Sequence, residues 1–327
     1  MNRAKIIGTG SAVPKKILTN ADLEKLVETS DQWITERTGI RERHIVVDGE
    51  KFSDLCTKAA EGALKRAHVK AEDIDMILVG TISGDMPFPA TACFVQKNLG
   101  AAKAAASDVG AACVGFLYGL HLADGLIQSN KAENVLVIGG EILSRYVDWT
   151  DRSTCVLFGD GAGAVLLQAT KGDHGILGTR MKSNGNYADF IHMPGGGSNY
   201  PANDPRTREQ KLPYIKMRGN ETFKVAVKAM ADITADLLKE QGFGNDDVKV
   251  FIPHQANERI IDAVGTRLKF PPERVYKNVD RYGNTSAASI PIALDELVAA
   301  DRIHTGDLVL MTAFGAGLVW GSALVRW

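Results

Sequence analysis

The chain has 327 residues, of which 45% are hydrophobic and 24% charged, and its formal net charge is −1. These values are ordinary for a soluble globular protein, and the length suggests one large domain or two smaller ones. A balance this close to neutral gives no overall field that would attract nucleic acid or an anionic membrane. We therefore expect neither nucleic acid nor a membrane among its partners.

The four cysteines and the N-terminus give information about the cellular compartment of the protein. Cys56, Cys93, Cys113 and Cys155 form no CxxC pair, so their spacing does not indicate a metal site. A chain of this length does not need disulfides, and reduced thiols in the cytoplasm are the simplest interpretation. The first residues, MNRAKIIGTG, lack an apolar run followed by a small-residue cleavage site, so no signal peptide is expected. No apolar run approaches the roughly 18 residues of a membrane span.

Short β-rich runs alternate with amphipathic stretches along the chain. Strands are predicted at AKIIG, DMILVG and NVLVIGG in the first half, and at VKVFIP and DLVLMTAF in the second. Helices are predicted at CVGFLYGLHLADGLIQ, ETFKVAVKAMADITADLLKEQ and NERIIDAVGTRLK. Because the strands are rich in Val, Ile and Leu with little alternation, we expect a sheet covered on both sides. The pattern is that of an α/β protein.

The spacing of these elements indicates an internal repeat. The runs that end at Thr81 and His254 are 173 residues apart, and so are the strand starts at Val135 and Leu308. In each half, a turn of small residues lies between these two strands and leads into a helix. We interpret this as two similar halves, 1–170 and 171–327, packed as a pseudo-dimer. A chance agreement in strand spacing is the alternative.

Three polar or glycine-rich segments complete the pattern. Residues 192–214 are rich in Gly, Pro and Asn and predict a long loop, either functional or a plain surface excursion. IGTGSAVP has Pro14 and no third glycine, so it fails as a dinucleotide fingerprint. FGDGAGAVLL leads into a strand-like run, and we interpret it as a tight turn between strands.

The strongest local signal for chemistry is Cys113 in SDVGAACVGFLYGL. A strand runs into small residues, the cysteine and then an apolar helix. A thiol at a helix N-terminus lies near unpaired amides and the positive end of the dipole, which favour the thiolate. The same amides could bind an acyl oxyanion. The alternative is a buried core cysteine.

Three further segments carry candidate polar or glycine residues. His254 in FIPHQANERI follows a strand and precedes a helix, so it is either a site residue or a helix cap. Asn284 in RYGNTSAASIP opens a helix, and an N-cap role is the alternative. AFGAGLVWGSALV predicts a strand, a glycine turn and a returning strand, in which Gly315 and Gly317 allow the backbone to approach a ligand.

Together these segments resemble the β-ketoacyl-acyl carrier protein (ACP) synthase III family of the thiolase-fold superfamily. PHQAN, GNTSAAS and the terminal FGAGLVWGSALVRW carry the resemblance, with TSDQWITERTGIRERH near the N-terminus and FGDGAGAVLL in the middle. The resemblance covers essentially the whole chain. It implies an α/β thiolase-like fold with two pseudo-symmetric halves in a five-layered αβαβα arrangement.

The resemblance also implies an activity. A short acyl-CoA, with acetyl-CoA as the expected primer, would acylate the cysteine and then condense with malonyl-ACP, releasing CoA and carbon dioxide. This is the initiating step of bacterial-type fatty acid synthesis. The resemblance further implies a homodimer, the partners ACP and acyl-CoA, and no metal or organic redox cofactor.

Family roles fall on matching positions of this chain. Cys113 matches the acylated nucleophile, and His254 and Asn284 match the pair that supports malonyl decarboxylation. Elongating synthases differ in using Cys-His-His, and thiolases in using a second cysteine. The backbone amides of Cys113 and Ala316 match the oxyanion hole. The family often has GGG where this chain has Gly315-Ala316-Gly317, and the alanine methyl is expected to be tolerated while tightening the site.

Further site residues are implied by the same resemblance. The CoA contacts are Thr29, Trp33, Arg37, Arg152, Asn220 and Asn257. The acyl pocket is formed by Phe158, Phe314 and Phe88, the last reaching the neighbouring subunit. Because ACP is acidic, a basic docking patch is expected, at Lys224, Arg259 and Arg267.

Two other classes of function remain open at this point. One is a related condensing enzyme of a specialised polyketide-type or CoA-only pathway, which differs in whether the product is carried by ACP or by CoA. The other is a non-catalytic binding protein on the same fold, which an intact Cys113, His254 and Asn284 disfavour. The sequence does not determine the preferred acyl chain length.

Overall fold

The structure is a computed structural model that describes residues 2–327. Its strands are β1 (Arg3–Ala12), β2 (Lys16–Thr19), β3 (Glu42–Ile45), β4 (Met76–Gly80), β5 (Ala105–Val109), β6 (Asn134–Glu141), β7 (Gly161–Thr170), β8 (Gly175–Ser183), β9 (Ile191–His192), β10 (Lys216–Met217), β11 (Val248–Pro253), β12 (Leu308–Gly315) and β13 (Val319–Arg326). Its α-helices are α1 (Asn20–Leu23), α2 (Asp31–Thr38), α3 (Phe52–Ala67), α4 (Thr91–Leu99), α5 (Gly115–Gln128), α6 (Arg152–Cys155), α7 (Pro205–Glu209), α8 (Gly219–Gln241), α9 (Glu258–Arg267), α10 (Val279–Tyr282) and α11 (Ser289–Ala299).

Two mixed sheets with matching topology form the framework. The first has the strand order β1-β7-β6-β4-β5, and the second has the order β8-β13-β12-β11. In each sheet a parallel pair, β4–β6 or β11–β12, adjoins an antiparallel pair, β6–β7 or β12–β13. A further antiparallel strand, β1 or β8, completes the match. This correspondence confirms the two pseudo-symmetric halves.

The helices and sheets stack in five layers. Helices α5 and α11 lie between the sheets and contact strands of both. Helices α3 and α4 cover the outer face of the first sheet, and α8, with α9 packed against it, covers the outer face of the second. The predicted α/β thiolase-like fold with an αβαβα arrangement is therefore confirmed.

The composition of the central strands follows from this stacking. Every residue of β6 and of β12 is buried, so both faces need apolar or small side chains and no alternation can arise. Glycine permits the closest approach: a Cβ at Gly139 of β6 would lie 2.2 Å from the carbonyl oxygen of Ala287. Small residues at these positions thus bring the turns that begin α5 and α11 against the first sheet.

The predicted strands and helices are all present, with ends shifted by a few residues, but two segment predictions were wrong in part. Residues 192–214 contain helix α7, because Asp204 caps it and Pro205 suits its first turn. The FGDG turn lies between α6 and β7 rather than between two strands. In residues 2–327, no helix combines the length and the apolar character needed to cross a membrane.

Candidate active site

The two halves contribute equivalent turns to the site. A 3₁₀ turn, Ala112–Val114, carries Cys113 into α5, and a second, Ser286–Ala288, leads into α11. Ala112 and Ser286, which are 174 residues apart, both have left-handed backbones, with φ of 44° and 51°. Non-glycine residues in this region are uncommon and cluster at functional sites. The turn geometry that the small residues predicted is thus present twice.

The segment 284–289 joins the three predicted catalytic residues. Ser286 Oγ lies 3.2 Å from Cys113 Sγ. Ser289 Oγ lies 2.7 Å from His254 Nδ1. Asn284 is itself the first residue of the segment. The predicted nucleophile from the first half and two polar side chains from the second are therefore brought to one place.

His254 is a buried, neutral hydrogen-bond donor. Burial lowers the pKa of its imidazole to about 3. Ser289 Oγ accepts the N–H of Gln255 at 3.3 Å and can donate its own proton to His254 Nδ1. In that arrangement the ring carries its proton on Nε2. The helix-cap alternative does not hold, because the side chain that caps α9 is that of Asn257.

Asn284 is fixed in orientation by the backbone around it. Its Oδ1 accepts the N–H of Ser286 at 2.9 Å, so Nδ2 is the end left to act as a donor. Its own backbone bonds to the carbonyl of Leu157 at 2.8 Å and to the N–H of Gly159 at 3.1 Å. The N-cap alternative does not hold, because Thr285 takes the N-cap position of the 3₁₀ turn and its side chain makes no capping hydrogen bond.

Cys113 lies in an environment that favours the thiol. Burial raises the pKa of its thiol to about 12, and the hydrogen bond from Ser286 opposes this only in part. The helix N-terminus alone predicted the opposite direction. Burial is the larger effect because the turn is packed between segments of both halves, where a charged sulfur loses its hydration. At neutral pH Cys113 therefore rests as a thiol.

The backbone at the end of β12 packs closely against the Cys113 amide. A Cβ at Gly315, the last residue of β12, would lie 2.9 Å from Cys113 N and 3.3 Å from Cys113 Cβ. Any side chain at this position would therefore press on the nucleophile turn. Ala316, the predicted second oxyanion donor, follows in the tight turn between β12 and β13 and is partly exposed.

Four of the six predicted CoA contacts are linked around α2. Trp33 is half-buried, with the guanidinium of Arg37 at 4.9 Å and that of Arg152 at 4.7 Å from its ring centroid. Asn257 Nδ2 donates to the Arg37 carbonyl at 3.1 Å. Since Arg152 stacks on Trp33 directly, an aromatic base entering between them requires the arginine to move. Of the other two, Thr29 is partly buried and Asn220 is exposed at the start of α8.

The three predicted acyl-pocket residues divide into two groups. Phe158 and Phe314 are buried, and Phe158 forms an isolated β-bridge with Asn284. Phe314 immediately precedes Gly315 and stacks on Trp320 with ring centroids 6.4 Å apart. Phe88, in contrast, is 84% exposed. Within one chain, only the first two lie beside the catalytic segments.

The predicted basic patch is not uniform. Arg259 is exposed at the start of α9, and its guanidinium lies 5.9 Å from the ring centroid of Phe223 on α8. Lys224 is exposed next to Phe223. Arg267, at the other end of α9, pairs with Asp232 at 3.3 Å. The positive charge available to a partner is therefore concentrated near Lys224 and Arg259.

Comparisons with known proteins decide the family. The model described as 3-oxoacyl-[acyl-carrier-protein] synthase III matches residues 107–185, and its C-terminal counterpart matches residues 238–327. The β-ketoacyl-[acyl-carrier-protein] synthase III of Caldanaerobacter subterraneus subsp. tengcongensis is 51% identical over 99% of this chain and 98% of that protein. The chain belongs to the 3-oxoacyl-[acyl-carrier-protein] synthase III family.

Solved structures agree with this membership. The synthase III structure from Aquifex aeolicus superimposes with a TM-score of 0.92 at 48% identity, covering 99% of this chain and all of that one. A priming β-ketosynthase from the R1128 polyketide pathway also gives 0.92, at 31% identity over 98% of this chain and 95% of that one. The predicted activity class is thus confirmed: the synthase is an acyltransferase, the initiating condensing enzyme of type II fatty acid synthesis.

Sequence analysis missed three residues of this synthase that contact the predicted catalytic groups or their neighbours. Ser286 and Ser289 stand inside GNTSAAS, but only the asparagine of that motif was singled out. Glu141, the last residue of β6, is fully buried and hydrogen-bonded to Ser286. A lone acid after a run such as NVLVIGG gives no signal of burial, because acids at strand ends are usually exposed.

Proposed function

We propose that the synthase transfers a short acyl group from CoA, with acetyl-CoA as primer, to Cys113 and condenses it with malonyl-ACP. The observation that carries this proposal is the segment 284–289, which contacts Cys113 and His254 and contributes Asn284. A sulfur nucleophile beside two neutral side-chain donors fits an acyl-thioester intermediate followed by enolate formation.

In the first half-reaction, Cys113 sulfur attacks the acyl carbonyl carbon. The resulting oxyanion would be stabilised by the N–H groups of Cys113 and Ala316. The close packing of Gly315 against the Cys113 amide supports this role, because it places the segment that continues into Ala316 next to Cys113. CoA then leaves, and the acyl group remains on the enzyme.

In the second half-reaction, malonyl-ACP loses carbon dioxide and forms a thioester enolate. His254 Nε2–H and Asn284 Nδ2–H would donate to the enolate oxygen. A neutral imidazole suits this donor role, and the low pKa of His254 keeps it neutral throughout the physiological range. The carbon attacks the acyl-cysteine and gives β-ketoacyl-ACP. The reaction is redox-neutral, so the proposal includes no redox cofactor, and it assigns stabilisation of both oxyanions to N–H groups of the protein rather than to a metal.

A homodimer would complete the acyl pocket. Strand β5 is an edge of the first sheet and leads directly to the Cys113 turn. Exposed apolar side chains lie in the segment after β4: Ile82, Met86 and Phe88. Open edge strands and large exposed apolar residues are normally covered in soluble proteins. A second copy pairing here would bring Phe88 to the partner's pocket beside Phe158 and Phe314.

Two organisational proposals accompany this function. The boundary between the halves is placed at residues 170 and 171, since β7 ends at Thr170 and β8 begins at Gly175. Cys113 then belongs to one half, and His254 and Asn284 to the other.

A cytoplasmic location is supported by the four free cysteines, of which Cys56 and Cys155 are buried without forming a disulfide.

Trp33→Ala is expected to weaken acyl-CoA binding by roughly 1–3 kcal/mol, the scale of base stacking on an aromatic ring. The ring would provide the stacking surface for adenine after Arg152 moves aside. Isothermal titration with CoA measures the change. Trp327→Ala is a matched control, because Trp327 is also partly buried but packs in a different apolar cluster from Trp33. Unchanged CoA affinity with a lowered unfolding temperature would assign Trp33 to the core instead.

Arg259→Glu is expected to raise KM for malonyl-ACP about tenfold or more at low salt, while acylation from acyl-CoA stays near the parental rate. Charges at the edge of an interface mainly affect the rate of association with a charged partner, and salt screens this effect. Steady-state kinetics at several salt concentrations measure both effects. Lys65→Glu on α3, in the opposite outer layer, is the matched charge control. Equal damage to both half-reactions would show that Arg259 supports the CoA site or the fold.

The proposed reaction is tested by offering acyl-CoA primers of increasing length with either malonyl-ACP or malonyl-CoA. We expect fastest turnover with acetyl-CoA and a product carried by ACP. A product on CoA, or a strong preference for another starter, would favour the specialised pathways, of which the R1128 priming β-ketosynthase is a structural relative. Mass spectrometry that detected no acyl-enzyme with any primer would contradict the proposed function.

A further inference from the structure

Glu141 is a fully buried carboxyl group behind the nucleophile. Its oxygens accept hydrogen bonds from Thr81 Oγ1 at 3.0 Å, from the N–H of Ile82 at 3.2 Å and from Ser83 Oγ. Ser286 Oγ, at 3.4 Å, is a further donor. These donors are all neutral, and within residues 2–327 no ion pair joins Glu141 to a cation. A buried acid without a positive partner is destabilised as the anion, and such groups cluster at functional sites.

Ser286 connects this acid to the nucleophile. Its single hydroxyl lies 3.2 Å from Cys113 Sγ and 3.4 Å from Glu141 Oε1. One hydroxyl proton can serve only one of these acceptors at a time. When it points to Glu141, Ser286 Oγ can accept the Cys113 S–H. When it points to sulfur, Oγ can accept a proton on Glu141. The two arrangements correspond to the thiol and the thiolate of Cys113.

The electrostatics of the neighbourhood suit a proton acceptor. Burial raises the pKa of Glu141 to about 7, whereas burial lowers that of His254 to about 3. Of the two, Glu141 is by far the better base at neutral pH. The titratable groups that interact with Glu141 are Cys113, Tyr146 and Cys56, and Asp85 and Asp108 also face Cys56. All of these are acids, so none provides a positive charge that would depress the basicity of Glu141.

We propose that Ser286 and Glu141 form a proton relay that removes the proton of Cys113 during acylation and returns it after condensation. Ser286 contacts the reacting sulfur and is a catalytic residue in this scheme. Glu141 acts through Ser286 and holds the proton. The proposal rests on the proposed acyl-cysteine chemistry and assigns the step that creates the nucleophile.

The proton balance of the full cycle closes with this relay. As the Cys113 S–H bond breaks, its proton passes to Ser286 Oγ while the hydroxyl proton of Ser286 passes to Glu141. Sulfur bonds to the acyl carbon, the carbon–sulfur bond to CoA breaks, and the CoA thiolate takes a proton from water. After the enolate has attacked the acyl carbon, Cys113 leaves as thiolate. The proton on Glu141 then returns through Ser286 to the sulfur.

The test is the pH dependence of single-turnover acylation by acetyl-CoA, followed by rapid quench and intact-mass detection of the acyl-enzyme. For the parent, the rate should rise as Glu141 ionises and level off above about pH 8. Glu141→Gln should acylate about 100-fold more slowly at pH 7, the lower range for loss of a general base, with a rate that continues to rise through about pH 9. Glutamine can keep an oxygen toward Thr81, Ile82 and Ser83, so its packing is nearly the same.

Ser286→Gly tests the same relay without altering Glu141. Glycine accepts the left-handed backbone at this position and removes the hydroxymethyl group that carries the relay hydroxyl. Its pH profile should match that of Glu141→Gln, and the double variant should be no slower than either single one, because both changes break the same path. Asp124→Asn on α5 is the matched control: it neutralises another buried carboxyl, bonded to Gln128, and should keep the parental profile.

The outcomes separate the relay from the proposed function. A parent that forms no acyl-enzyme contradicts the acyl-cysteine reaction itself. A parent that acylates normally, with both variants keeping its rate and pH profile, overturns the relay alone. A loss of equal size at every pH, or additive losses in the double variant, also overturns the relay, because Glu141 and Ser286 would then act only by holding the turn in place.

Discussion

Cys113→Ser is expected to abolish acyl transfer and condensation, with activity falling about 1,000-fold or more, while the fold survives. Serine fills almost the same space, so the contact with Ser286 and the packing of the turn persist. A hydroxyl is a far weaker acid than a thiol, and an oxyanion is a poorer leaving group when the enolate attacks. The serine variant is therefore a poorer nucleophile in the first half-reaction and a poorer leaving group in the second.

Two measurements check this expectation. Intact mass after incubation with acetyl-CoA should show an acyl adduct on the parent and none on the variant, and the unfolding temperature should be unchanged. Cys93→Ser is the matched control, since Cys93 is the other partly buried cysteine and lies on α4. Near-normal condensation by Cys113→Ser would refute the assignment of the nucleophile.

The sequence predicted the secondary structure and singled out the segments that carry the proposed catalytic residues, because both leave local signals. Strands β6 and β12 are buried on both faces, so their sequences show no alternation of apolar and polar residues. The absence of alternation therefore indicates the layered fold. The turns at Cys113 and Asn284 were visible as clusters of small residues. The repeat was visible because the two sheets share strand order and therefore spacing along the chain.

The protonation of the site could not be predicted in this way. The position of Cys113 at a helix N-terminus argues for a thiolate, but its pKa is raised because segments distant in sequence bury it. The burial of Glu141 likewise depends on Ser286, 145 residues away, and on Thr81 and Ser83. Such effects arise from tertiary contacts, and no pattern along one segment encodes them.

Surface features could be predicted from the sequence only in part. Arg259 and Arg267 lie on adjoining faces of one predicted helix, and only the structure shows that Asp232 pairs with Arg267. Phe88 is far more exposed than a phenylalanine usually is. The sequence does not reveal this exposure, and the structure of a single chain does not explain it. Its role depends on the second copy that we propose to pair at β5.

His254→Ala and Asn284→Ala are expected to retain most of the acylation of Cys113 and to lose malonyl decarboxylation about 100- to 1,000-fold each. Removing one preformed donor to a developing oxyanion has an effect of this size. His254 titrates only near pH 3, so its donor Nε2–H is present throughout the range from pH 5 to 9, and the decarboxylation rate should show no step from this residue. The protonation of Glu141 near pH 7 belongs instead to the acylation step.

Separate assays distinguish these roles. Release of labelled carbon dioxide from malonyl-ACP measures decarboxylation, and intact mass with acetyl-CoA measures acylation. His121→Ala is the matched histidine control, because His121 is exposed on α5 and bonds Thr179. If either His254→Ala or Asn284→Ala decarboxylated malonyl-ACP at the parental rate, that residue would have no part in stabilising the enolate. If acylation fell as far as decarboxylation, the two side chains would act on a step that both half-reactions share, such as the positioning of the thioester beside Cys113.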